Sequence, residues 1–82
     1  MTKYIFNAVF TYDYDGISIN FPDLPGCISC GFSTNDAIQM AKEALELYLE
    51  GMQDDEIPQA STITEIEIDA LNKKVFPIEV GI

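Results

Sequence analysis

Apolar and polar residues alternate from Lys3 to Thr11, with Tyr4, Phe6, Ala8 and Phe10 on one face and Ile5, Asn7, Val9 and Thr11 on the other. That period of two predicts a half-buried strand. The turn residues Tyr12 to Gly16 follow, and Ile17, Ile19 and Phe21 then alternate with Ser18 and Asn20, as a hairpin partner would. A third, shorter alternation sets Ile28, Cys30 and Phe32 against Cys27, Ser29 and Gly31. Its more apolar phase is expected inside, which places Cys30 and Phe32 in the core and Cys27 outside.

From Ser33 the period lengthens to that of a helix, expected from Thr34 to about Asp54, with Ser33 as N-cap and Asp36 as the acid three residues later. Ala37, Ile38, Ala41, Ala44, Leu45, Tyr48, Leu49 and Met52 fall in one broad arc suited to packing on a sheet. Gln39, Lys42, Glu46, Glu50 and Gln53 fall opposite. Val75 to Val80 reads as a last strand with Phe76, Ile78 and Val80 inward, and Pro77 confines it to an edge because it lacks a donor. Between Thr62 and Asn72 the isoleucines fit either a strand or a helical turn, and a loop with one turn of helix is expected.

The corner Phe21-Pro22-Asp23-Leu24-Pro25-Gly26-Cys27 separates the hairpin from the third strand. Its prolines fix φ and remove donors, and Gly26 is free to take the positive φ of a tight turn. The element order is therefore β-β-β-α-β, a single two-layer α+β domain with one helix on one face of a sheet.

Composition narrows the function. Fourteen carboxylates face only four cations, Lys3, Lys42, Lys73 and Lys74, for a formal net charge of -10 in 82 residues. Nucleic-acid affinity rests on cationic contacts to phosphate, so direct binding of DNA or RNA by this domain is not expected. A basic partner, such as a protein that itself binds nucleic acid, is favoured by the same field. Nothing resembles a signal peptide or membrane span, and Cys27 and Cys30 are too close for a useful loop-closing disulfide, so a cytoplasmic setting is expected. A core this small also makes self-association reasonable.

No catalytic, cofactor or metal site emerges. Cys27-x-x-Cys30 lacks a second Cys/His pair, and the chain has no histidine. Asp13-x-Asp15-Gly16 starts like a calcium loop, but the sixth and twelfth positions are Ser18 and Leu24 rather than Gly and Glu. The aromatics Tyr4, Phe6, Phe10, Phe21 and Phe32 share the inward phase, which suits core packing rather than base stacking, while Tyr12 and Tyr14 flank the turn. Met40 and Leu47 lie one heptad apart beyond the edge of the helix's core arc, bracketed by Asp36, Glu43, Glu50 and Asp54. Either a curled sheet covers them or they form a protein-contact ridge; full burial of both side chains in the monomer would remove the second reading.

The run Tyr14 to Cys27 (YDGISINFPDLPGC), followed by Gly31, Ser33, Ala37 and Ala41 to Gly51 (AKEALELYLEG), resembles the HicB antitoxin family. The resemblance covers most of residues 4 to 58. It implies the antitoxin of a HicA/HicB toxin-antitoxin pair, whose N-terminal domain is a partial ribonuclease H-like fold that binds and blocks a small basic RNA-cleaving toxin. The strand Lys3 to Thr11 has no carboxylate to seat a nuclease metal pair, so a binding role without enzyme activity is expected. Only Gly81 and Ile82 follow Val80, so no C-terminal DNA-binding module of the kind many HicB proteins carry is expected. On this reading the HicA-like toxin meets the ridge of Asp36, Met40, Glu43, Leu47 and Glu50, the hairpin acids Asp13 and Asp15, and the Asp23-Leu24 corner. The alternative is a stand-alone homo-oligomeric domain that associates through a strand edge and the outer-face residues Ile5 and Val9.

Overall fold

The computed structural model describes residues 3–59 and 71–81. They form β1 (Lys3–Asp13), β2 (Gly16–Asn20), β3 (Ile28–Gly31), α1 (Thr34–Glu50), a 3-10 turn (Asp54–Glu56) and β4 (Lys73–Gly81). The four strands make one antiparallel sheet in the order β3-β2-β1-β4, and α1 covers one face. This is the two-layer α+β architecture expected from the periodicities. The expected loop of residues 62–72 falls mostly outside the described residues.

Register places the inward phases opposite one another. Phe10 pairs with Ile19, Phe6 with Ile78 and Tyr4 with Val80. The Phe10 and Phe76 rings lie 4.7 Å apart with their planes tilted by 46°. From the helix, Ala37, Ala41, Leu45 and Leu49 are buried at four-residue spacing, and Ile38, Ala44, Tyr48 and Met52 pack beside them. Each fully buried large side chain, such as Phe6, Phe10, Leu45 or Ile78, contributes about 1.5–3 kcal/mol through burial. β4 is an edge strand, as Pro77 requires.

The helix stops at Glu50, short of the expected end. The Met52 N–H bonds the Leu49 carbonyl at 3.0 Å, tightening the last turn. The Gln53 N–H then goes to the Glu56 carboxylate at 2.8 Å, so it is not left for a further helical turn.

β3 has the opposite phase from the one expected. Cys27 and Gly31 are buried, whereas Ile28, Cys30 and Phe32 are exposed. Two contacts fix this phase. At the corner, the Phe21 N–H donates to the Cys27 carbonyl at 3.2 Å, placing Cys27 opposite inward-facing Phe21. At the other end Gly31 lies under the first turn of α1, where an added Cβ would come within 2.6 Å of the Ala37 Cα. Only glycine permits that approach. The hydrophobicity of Phe32 is outweighed by this backbone fit.

Candidate functional site

The corner is two turns in succession. The Leu24 N–H bonds the Phe21 carbonyl at 3.0 Å, and the Cys27 N–H bonds the Leu24 carbonyl at 2.9 Å. In the second turn Pro25 precedes Gly26, whose φ of 87° is the left-handed value a type II turn needs at that position. Leu24 points into the core at 1 % exposure, so its side chain anchors the corner and is not itself at the surface. Asp23 is half-buried and engaged within the fold.

The helix reaches this corner through one side chain. The Tyr48 hydroxyl donates to the Pro25 carbonyl at 2.8 Å, and the buried Cys27 thiol points at the Ala44 carbonyl, 3.8 Å away. Burial also pushes the Cys27 thiol above its ordinary pKa. Between the two elements runs an open groove of about 360 Å³ lined by Gly26, Cys27, Ile28, Ala44, Leu47 and Tyr48. Its rim is apolar: Ile28 is 70 % exposed and Leu47 72 %. A smaller cleft of about 170 Å³ lies at the other end of β3, between Asp15–Ser18 and Cys30–Phe32.

Above β3 stands the flank of α1 that carries Asp36, Met40, Glu43, Leu47 and Glu50, since Ala44 and Leu47 line the groove and these residues neighbour them at three- and four-residue spacing. Met40 is 36 % exposed and the acids are exposed, so the sheet does not cover this ridge. Asp36 has a structural task as well. Ser33 Oγ accepts the Asp36 N–H at 3.1 Å, and the Asp36 carboxylate accepts the Phe32 N–H at 2.9 Å, capping the helix. The hairpin acids Asp13 and Asp15 are exposed at the far end of the sheet, beside a fully exposed Tyr14.

Charge is unevenly placed on this framework. No lysine or arginine occurs between residues 4 and 41, so β2, the corner, β3 and the first turns of α1 are free of cations. Lys73 and Lys74 are on β4, and Lys3 pairs with Glu79 at 3.4 Å on the β1–β4 side. Lys42 is on the helix flank opposite Leu47. The β3 half of the molecule is thus acidic and apolar, and among the described residues no cluster of three metal-ligating side chains occurs.

The profile of the HicB-like antitoxins of bacterial toxin-antitoxin systems matches residues 7–77. The chain belongs to this family. The HicB-like region takes in the corner, β3 and all of α1. Among relatives, it is 40 % identical over 68 residues to a UPF0150 protein of Helicobacter pylori, covering 78 % of this chain and 94 % of that one. It is also 40 % identical over 53 residues to an uncharacterized 14.9 kDa protein in the rep-hol intergenic region of Haemophilus phage HP1. That match covers 62 % of this chain but only 40 % of the phage protein. The HicB-like fold has a solved counterpart in a chain of a HicA3 and HicB3 toxin-antitoxin complex, with a TM-score of 0.62 and 18 % identity, covering 92 % of this chain and 95 % of that one.

Periodicity places three surface residues of this HicB-like domain in the core, Ile28, Cys30 and Phe32, the last 89 % exposed. The distance between Phe21 and Cys27 carried the missing signal, because it sets the phase of β3. Of the two outer-face residues considered for self-association, Ile5 is half-exposed and Val9 is buried. Tyr12 turns inward, its hydroxyl 2.9 Å from Thr34 Oγ1 with Lys74 over its ring, and so joins the hairpin end to the start of α1.

Proposed function

We propose that this HicB-like domain is the antitoxin of a HicA/HicB-type pair, acting by binding and masking a small basic RNA-cleaving toxin rather than by catalysis. The family match across residues 7–77 carries this reading, and it spans every residue of the expected interface. The acidic and apolar β3 side supports it, because such a surface complements a cationic protein and repels phosphate. Of the interface residues, Asp36, Met40, Glu43, Leu47 and Glu50 form the contact ridge, with Asp13 and Asp15 contributing long-range attraction. Leu24 holds the corner in shape from within the core, and Asp23 is carried on that corner. The setting for this chemistry is the cytoplasm, where the toxin meets RNA.

The test is copurification of this chain with the small basic protein encoded beside its gene, followed by an RNA-cleavage assay of that protein with and without the chain. Formation of a complex that suppresses cleavage is expected. Undiminished cleavage at saturating antitoxin would overturn the reading and leave a stand-alone oligomer, using a strand edge and Ile5, as the alternative.

A further inference from the structure

We propose that β3 is the docking edge, to which the partner adds an extended basic segment beside Ile28–Gly31, seating one apolar side chain in the groove between Ile28 and Leu47. This rests on the antitoxin reading above, and names where and how the toxin is held.

The two edges of the sheet differ in the features that discourage strand addition. β4 carries Pro77, which has no N–H to offer, together with Lys73, Lys74 and Glu79. Proline and charge are the ordinary means by which edges avoid pairing. β3, with the sequence Ile-Ser-Cys-Gly, has neither. Because Phe21 bonds Cys27, the antiparallel alternation makes Ser29 and Gly31 face β2 through their backbone groups. The N–H and C=O groups of Ile28 and Cys30 consequently point away from the sheet, in the arrangement an added strand uses.

Side chains then select the occupant. The groove offers an apolar seat at the start of β3, and Glu43 and Glu50 flank its lining residue Leu47 at four- and three-residue spacing along α1. A segment with one apolar anchor and flanking lysines or arginines satisfies both. A second copy of this chain does not. Antiparallel pairing of two β3 edges about a twofold axis would set the acidic α1 flanks side by side, bringing Glu43 and Glu50 of one copy towards the same acids of the other on a molecule of net charge -10.

Amide hydrogen exchange and binding titrations test this, using the adjacent-gene toxin with this chain and its Ile28→Asp, Leu47→Asp and Ile5→Asp variants. All three positions are exposed, so the variants keep the fold, which circular dichroism checks. Expected are exchange slowed by roughly tenfold or more at Ile28 and Cys30 in the complex, and binding weakened roughly tenfold or more by I28D and by L47D but not by I5D. Toxin binding with Ile28 and Cys30 exchange unchanged would overturn the docking edge and leave the antitoxin reading standing. No binding by the parent chain would overturn both. Protection of these amides in the chain alone, rising with its concentration, would assign the edge to self-association instead.

Discussion

Tyr48 on α1 and Pro25 in the corner are joined by a hydroxyl-to-carbonyl hydrogen bond of 2.8 Å that bridges 23 residues of sequence. The bond fixes the width of the groove between them. Tyr48→Phe keeps the ring and removes the bond, at an expected cost of about 0.5–1 kcal/mol because the site is exposed to competing water. For a domain of this size, that lowers the thermal midpoint by roughly 2–8 °C. A midpoint equal to the parent's would mean that the hydroxyl contributes nothing to holding the corner.

Gly31 and Gly51 give opposite expectations for the same substitution. At Gly31 an alanine Cβ would lie 2.6–2.8 Å from Ala37 atoms, so G31A forces α1 off the sheet and destabilises by about 1–3 kcal/mol or more. At Gly51 the nearest atom is 3.7 Å away and φ is −82°, so G51A is accommodated and stabilises by about 0.4–1 kcal/mol. Urea denaturation of the two variants separates the cases, and similar midpoints would contradict the close packing at Gly31.

The two cysteines are expected to react at different rates. Cys30 is exposed and Cys27 buried, so a thiol reagent at neutral pH modifies one sulfur per folded chain and two in denaturant, by mass spectrometry. Cys27 also gives stability a pH dependence. Its pKa is raised above 9.0 in the fold by desolvation, so its contribution is intact below that value and declines as pH rises through 9.0 towards the folded pKa, where the unfolded thiol ionises first. Cys27→Ala should flatten part of the alkaline decline. An unchanged slope would remove Cys27 as its source.

Ser33→Ala removes the side-chain oxygen that accepts the Asp36 N–H at 3.1 Å, with an expected loss of about 1 kcal/mol. Serine at Asp36's N-terminal neighbour Asn35 would not replace it, because that position already lies inside the helix. Thermal melts of S33A and S33T make the comparison, threonine retaining most of the stability.

Most of this fold was legible in the sequence because its main elements are long enough for periodicity to be unambiguous. β2 keeps one apolar phase throughout, and β1 keeps Phe6, Ala8 and Phe10 in one phase but is also buried at Asn7 and Val9 on the face expected to be outer. The division of α1 between Ala37, Ala41, Leu45 and Leu49 inside and Met40 and Leu47 outside follows from 100° per residue. β3 was not legible in this way. Four residues long, with apolar side chains in both phases, it takes its orientation from a hydrogen bond at Phe21 and a backbone contact at Ala37. Exposure of Met40 and Leu47 is one of the two alternatives that the sequence leaves open, whereas exposure of their apolar neighbour Ile28 is not among its expectations. Leu24 was misjudged as a surface residue for a related reason: the corner has no period, and the burial of its side chain depends on two turns closing in succession.

The pairing of Lys3 with Gly81 and of Phe6 with Ile78 joins the first strand to the last. Every other described strand pair is formed between neighbours in sequence. Bringing strands so distant in sequence together carries the greatest chain-entropy cost, so the hairpin, corner and helix can assemble before β4 arrives. Ile78→Ala, costing about 2–5 kcal/mol, should then act mainly by accelerating unfolding, with folding little slowed in stopped-flow measurements. A HicB-like domain built in this order would present its β3 edge before β4 completes the sheet.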